Sequence, residues 1–384
     1  MMKIPGNCWP TQMQMLLLKA GLLDENRARN AWHEYCSKVD LEKADYVSTT
    51  LFPMVYRNLK TDERYPRQMQ VCKSAYCHTW AFNHAMIYEC ERMLKKLHAA
   101  GIEVSLLKGA ALIKAYYRDY GARVIGDVDV LIPENSMHVA LRLLFEEGWR
   151  SPCFDLLSDA HWVYIKRQAW IDLHHKSNAK IDVHWRVLHE PFNDIRCSLF
   201  QYRLVEVNPP AYFKVLSSED LLFHSLLHGV QEAELSLIRW VCDAHIILKL
   251  SPNFDWDRFL ITVKSMGLMI LVKEALLYLH ENEFIVLPRG VKQSLVEYKG
   301  FLGERIFVHL LTKKRNKFTY PIEMCFCQHL RNSKFNNMVM LLVTFPLFLV
   351  TNKRLVGVER RILVIPWLMF KGLRYYFRML KVGV

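Results

Sequence analysis

One stretch of the chain, L-L-K-G-A-A-L-I-K-A-Y-Y-R-D-Y-G-A-R-V-I-G-D-V-D-V-L-I from Leu106 to Ile132, restricts the fold more than any other. A strand-like apolar run ends at Lys108-Gly109, helical spacing follows from Gly109 to Tyr117, and a second strand pattern runs from Asp127 to Ile132. Asp127 and Asp129 stand two residues apart in that second run. Side chains alternate across a strand, so both carboxylates leave the same face, about 7 Å apart along the chain. Flanked by Val128, Val130, Leu131 and Ile132, they are costly to bury unpaired, whereas a hard divalent cation would hold them together.

Around this segment the pattern changes twice. Residues 1 to about 95 read as helices, ending in a long one from about Met69 to Ala100 with Gly101 as its C-cap. Strand and helix patterns then alternate to about residue 210: I-E-V-S-L-L-K as a strand, Ser136 to Glu147 as a helix, and W-V-Y-I and W-I-D-L-H as short strands. W-I-D-L-H and K-I-D-V-H-W are near-copies joined by H-K-S-N-A, which is turn chemistry, so a β-hairpin is the simplest account. Helices resume at Ser217, an N-cap with Asp220 three residues on, and continue to about residue 285. The fold class expected is α+β: a helical region over 1–100, an α/β core with a small mixed sheet over 101–210, a helical domain over 211–300 and a basic, apolar helical region over 301–384.

K-G-A-A-L, R-V-I-G-D-V-D-V-L, the later I-D-V-H-W, S-S-E-D-L-L-F-H-S-L-L-H and R-W-V-C-D together resemble an uncharacterised nucleotidyltransferase family of the polymerase-β-like superfamily, over roughly residues 90 to 290. The resemblance implies an active site made of a glycine turn, an acidic pair on one strand and a third acid on a neighbouring strand. Carried onto this chain, the catalytic and metal-holding residues are Asp127, Asp129 and Asp182, with Mg²⁺ or Mn²⁺ as the metal and an NTP as substrate. Two ions about 3.5–4 Å apart would hold the attacking and leaving oxygens of such a transfer. Asp182 and His184 share a strand face, so His184 could hold a phosphate oxygen or orient a carboxylate. Lys108 and Gly109 would meet phosphate at the start of the helix, where free N–H groups point. Ala110 stands where the wider superfamily has serine, which removes one hydroxyl contact. Arg123 could reach phosphate, or pair with Asp127 when no metal is bound. Arg239 and Asp243 are further candidates for the site.

Other chemistries find little support. His224 and His228 have the i, i+4 spacing of zinc ligands, but no third ligand is indicated nearby, so helix packing with polar anchors is the simpler reading. No P-loop, G-x-G-x-x-G after a strand or G-x-S-x-G elbow occurs. The ten cysteines contain no C-x-x-C pair and the N-terminus lacks a long apolar stretch, which points to idle thiols in a reducing, cytoplasmic compartment.

The net charge of +13 sits in the tail: residues 301–384 carry 15 Lys and Arg against 3 Asp and Glu, whereas the first 300 carry 36 against 35. One local surface, not a nucleic-acid-binding molecule, follows from this asymmetry, and no specific nucleic-acid signature occurs. The apolar runs at 339–350 and 362–370 each contain a proline and fall short of the ~20 residues of a spanning helix. Lys371, Arg374, Arg378 and Lys381 fall opposite Met369, Leu373, Tyr376 and Leu380 on a helix, so 368–384 would suit an anionic membrane surface, an acidic partner or the protein's own core. The sequence implies a metal-dependent transferase moving a nucleoside monophosphate from an NTP to an unidentified acceptor: a protein, a small molecule or an envelope precursor. The alternatives are a non-catalytic binding protein of the same fold and a peripheral membrane enzyme acting on a cell-envelope substrate.

Overall fold

The computed structural model describes residues 8–153, 169–188, 200–206, 212–231 and 238–312, together with Trp162, Ile165, Phe326 and His329. Its fold is α+β, as the sequence pattern implies. The N-terminal helices are α1 (Gln12–Leu22), α2 (Glu25–Lys38), α3 (Tyr46–Thr49), α4 (Phe52–Leu59) and α5 (Pro66–Ala99). Side-chain caps start the first three: Thr11 and Gln14 form a reciprocal capping box, and Asp24 and Asp45 each accept an N–H three residues on. At 34 residues α5 is about 50 Å long. It stops at Gly101, whose φ of +74° a side chain would resist.

The sheet has six strands in the order β3-β4-β2-β1-β6-β5. They are β1 (Ser105–Leu106), β2 (Val128–Leu131), β3 (Trp170–His174), β4 (Lys180–His184), β5 (Tyr202–Glu206) and β6 (Tyr212–Leu216). β1 runs antiparallel to β2 and parallel to β6, while β2 runs parallel to β4. β3 and β4 form the expected hairpin, turning through Asn178 at φ +65°. β1 is shorter than its apolar run suggests, because only Ser105 and Leu106 are flanked on both sides. Leu107 N–H still donates to the Asp129 carbonyl (2.9 Å), so the chain leaves β1 tied to the acidic strand.

Immediately after β1 comes α6 (Lys108–Leu112), extended by a π-helical turn over Ile113–Tyr117; α7 (Met137–Glu146) follows β2. Of the W-V-Y-I segment the described residues Trp162 and Ile165 are helical, not strand as expected; both are buried, and their i, i+3 spacing serves one helix face as well as it serves an apolar run. After the sheet come α8 (Ser218–Gln231), α9 (Arg239–Lys249), α10 (Trp256–Ser265), α11 (Met269–Glu281), α12 (Arg289–Glu297) and α13 (Leu302–Thr312). Ser217 caps α8 as expected: its Oγ accepts from Asp220 N–H (3.4 Å) and donates to Asp220 Oδ2 (3.2 Å). α8 and α9 pack closely because position 229 is glycine, where a Cβ would meet the Trp240 side chain at 2.2 Å. No helix of the described residues is long and apolar enough to cross a membrane. The apolar runs at 339–350 and 362–370 and the basic stripe at 368–384 lie outside the described residues.

Candidate active site

Parallel pairing of β2 with β4 sets Asp129 opposite Asp182 and Leu131 opposite His184. Register neighbours in adjacent strands share a face about 5 Å apart, so the second acid of the D-x-D pair and the acid of I-D-V-H-W meet on one surface. Asp172 is opposite Asp182 in β3, on the same face but one strand farther from β2. Of the two hairpin acids, Asp182 is therefore the one beside Asp129.

Asp129, Asp182 and His184 offer ligand atoms that all lie within 4.8 Å of one another, a group able to hold a metal ion. This differs from the expected trio, because His184 is in the group and Asp127 is not. Asp127 precedes the first paired residue of β2 and is half-buried in the turn leading in, whereas Asp129 is fixed within the ladder. His184 is buried, and its Nε2 sits 3.0 Å from Asp129 Oδ1. Burial lowers the pKa of the ring, so the neutral imidazole donates from Nε2 and orients the carboxylate.

Lys108 Nζ contacts the same Asp129 oxygen at 2.6 Å. Burial alone would raise the Asp129 pKa, but the Lys108 ammonium and the His184 hydrogen bond outweigh it and hold the carboxyl far below its ordinary value. Asp182 goes the other way: burial, with Asp129 and Asp127 beside it, pushes its carboxyl up to about 8. Asp127 is raised as well, by burial and by Asp129. Two carboxylates and an imidazole this close together suit a divalent cation, so the residues fit a bound metal ion.

The turn before α6 is built tightly. Lys108 has a left-handed φ of +42°, rare for a residue with a Cβ, and strain of that kind concentrates at functional sites. Gly109 cannot be replaced without displacement, since a Cβ there would lie 2.5 Å from both Arg123 Nη1 and Ile125 Cγ2. Arg123 itself is a correction. Its Nε and Nη2 each donate to Asp243 at 2.8 Å, and the Tyr117 hydroxyl donates to the same carboxylate at 2.8 Å. The guanidinium is thus paired with Asp243 rather than with Asp127, because α9 brings a carboxylate to it that matches its planar fork. Asn83 of α5, which sequence reasoning missed, donates to the carbonyls of Tyr120 and Arg123 at 2.7 Å each and secures the segment leading to Asp127. An asparagine inside a long amphipathic helix carries no signal of such a role.

The profile of a family described as uncharacterised nucleotidyltransferase matches residues 47–282, more than half of the chain. The chain belongs to that family. No curated protein matches it. Membership spans the N-terminal helices from α3, the sheet and the helical region through α11, so the acidic row, the Lys108-Gly109 turn and the Arg123–Asp243 pair all lie within the family region. His224 and His228 stack with ring centroids 6.2 Å apart on α8, and among the described residues neither enters a metal-ligand group.

Proposed function

We propose that the protein transfers a nucleoside monophosphate from an NTP to an acceptor hydroxyl or similar oxygen, with Asp129, Asp182 and His184 at the centre of the site. The observation that carries this reading is the register of β2 against β4, which sets Asp129 beside Asp182 next to the turn that starts α6. In such a transfer the acceptor oxygen forms a bond to the α-phosphorus and gives up its proton to water, while the bond to the bridging oxygen breaks and pyrophosphate leaves with its electron pair. A divalent cation bound by these side chains would supply Lewis-acid stabilisation of the charge that develops on the phosphoryl oxygens. Asp129 and Asp182 would hold that cation, His184 would keep Asp129 in orientation, and Asp127 would add negative charge at the mouth of the row. Lys108 would turn from Asp129 to a phosphate oxygen, while the N–H groups that open α6 would face the same phosphate.

The competing reading, a non-catalytic binding protein, has one observation in its favour: Lys108 already neutralises Asp129, and Ala110 offers no hydroxyl. Incubation of the full chain with each α-labelled NTP, Mg²⁺ or Mn²⁺ and a cell extract separates the two. Transfer of label to a protein, small molecule or envelope precursor by the wild type but not by Asp129→Ala supports the enzyme. Nucleotide binding without transfer in any extract favours the binding protein.

A further inference from the structure

The cations around the acidic row are unequally matched. Lys108 is paired with Asp129, and Arg123 with Asp243. Arg239, the first residue of α9, has no carboxylate within ion-pair distance among the described residues. Its Nη1 donates to the Val124 carbonyl, and its Nε–H is buried with no acceptor among those residues. A guanidinium largely removed from water against one neutral carbonyl is expensive to keep, and a folded chain that keeps it has a use for the charge or a partner to match it.

The position of Arg239 indicates the partner. Val124 lies three residues before Asp127, so the hydrogen bond holds the guanidinium against the segment that delivers the acidic row. Its charge reaches Asp127, whose carboxyl Lys108, Arg239 and Arg123 pull down against burial and Asp129. Burial and the adjacent Arg123 bring Arg239 itself down to about 10, so it remains charged at neutral pH. A bare anion would add negative charge to a row of carboxyls already crowded against one another. A polyphosphate that arrives with its divalent cation avoids this, because the cation satisfies the carboxylates while the phosphate oxygens find N–H donors.

We propose that Arg239 is an anion-binding residue of the site, contacting the phosphate chain of a metal-bound polyphosphate through the N–H groups that Val124 leaves free. This inference rests on the nucleotidyltransferase reading above and specifies where its triphosphate is held. Arginine suits the task because its rigid fork of donors matches phosphate oxygens.

The test is calorimetric titration of the full chain, in Mg²⁺, with inorganic tripolyphosphate and then with each NTP. Arg239→Gln keeps an N–H donor for the Val124 carbonyl and removes the charge. It should bind tripolyphosphate at least about tenfold more weakly than wild type, the scale of one lost charge-assisted hydrogen bond. Arg239→Lys, which restores the charge without the fork, should fall between the two. Equal affinity of Arg239→Gln and wild type, or Arg239→Lys weaker than Arg239→Gln, overturns the anion site, as does a wild type that binds no tripolyphosphate. A wild type that binds tripolyphosphate but none of the NTPs overturns the proposed function and leaves the anion site standing. NTP binding that Arg239→Gln leaves intact does the reverse.

Discussion

Lys108 Nζ lies 2.6 Å from Asp129 Oδ1, the same oxygen that His184 Nε2 contacts at 3.0 Å. The ammonium therefore occupies a face of the carboxylate that a metal ion would share, and the two cations compete for it. Lys108→Met should bind Mn²⁺ more tightly than wild type when no nucleotide is present, and bind NTP more weakly. Titration of Mn²⁺ followed by paramagnetic resonance reads the first effect. Unchanged or weaker Mn²⁺ binding would show that Lys108 does not compete with the metal.

Removing either register partner should abolish the response to metal. A cation at a hundred times its Kd adds about 2.7 kcal/mol to stability, which a melting curve detects readily. Asp129→Ala and Asp182→Asn should lose that gain and lose label transfer, whereas Asp172→Asn, one strand farther out, should retain most of both. Loss in Asp172→Asn with retention in Asp182→Asn would mean that the wrong hairpin acid has been placed at the centre.

The response to metal should depend on pH in a definite direction. Asp182 is raised in the folded protein to about 8, from the model-peptide value of about 3.9. The native state therefore holds a proton that the unfolded chain has released, and the stability contributed by this group is lost as pH rises from about 4 through about 8. Asp129 is lowered and acts oppositely, contributing stability above its unfolded pKa that is lost only at acid pH. A metal ion needs Asp182 ionised, so the Mg²⁺-induced rise in Tm should be larger at pH 8.5 than at pH 6. A rise of equal size at both would exclude Asp182 as the group that titrates on metal binding.

Gly109→Ala should destabilise the protein by about 1–3 kcal/mol, the usual cost of overpacking. The clash is with Arg123 Nη1 and Ile125 Cγ2, each at 2.5 Å, and the arginine cannot swing away without breaking its pair with Asp243. Denaturant unfolding measures the loss. A change under 0.5 kcal/mol, about the level of an inert surface substitution, would show that the turn relaxes freely.

Breaking the Arg123–Asp243 pair from one side should cost more. Asp243→Ala leaves a buried guanidinium unmatched and should lower stability by about 3–5 kcal/mol. Adding Arg123→Met to it should restore part of that loss, because the stranded charge is gone. Additive losses in the double variant would show that the two side chains stabilise the fold independently.

Much of the site is legible in the chain itself. The two-residue spacing of Asp127 and Asp129, the near-copies W-I-D-L-H and K-I-D-V-H-W with turn residues between them, and Ser217 with Asp220 at a helix start are local patterns. Their physics, alternation, turn chemistry and capping, acts over a few residues, so β2, the β3–β4 hairpin and the start of α8 follow from it. Which strand lies beside which is not local. His184 comes within ligand distance of Asp129 and Asp182 because β2 pairs with β4 in one register, a choice made by the packing of the whole sheet. Arg123 pairs with Asp243, and Arg239 lacks a carboxylate partner among the described residues, because α9 packs more than a hundred residues along the chain against the segment before β2. The sequence by itself determined which residues carry charge and which elements present them. Only the tertiary structure decided which charges meet, since an ion pair depends on distance and burial, and neither is set by spacing along a chain.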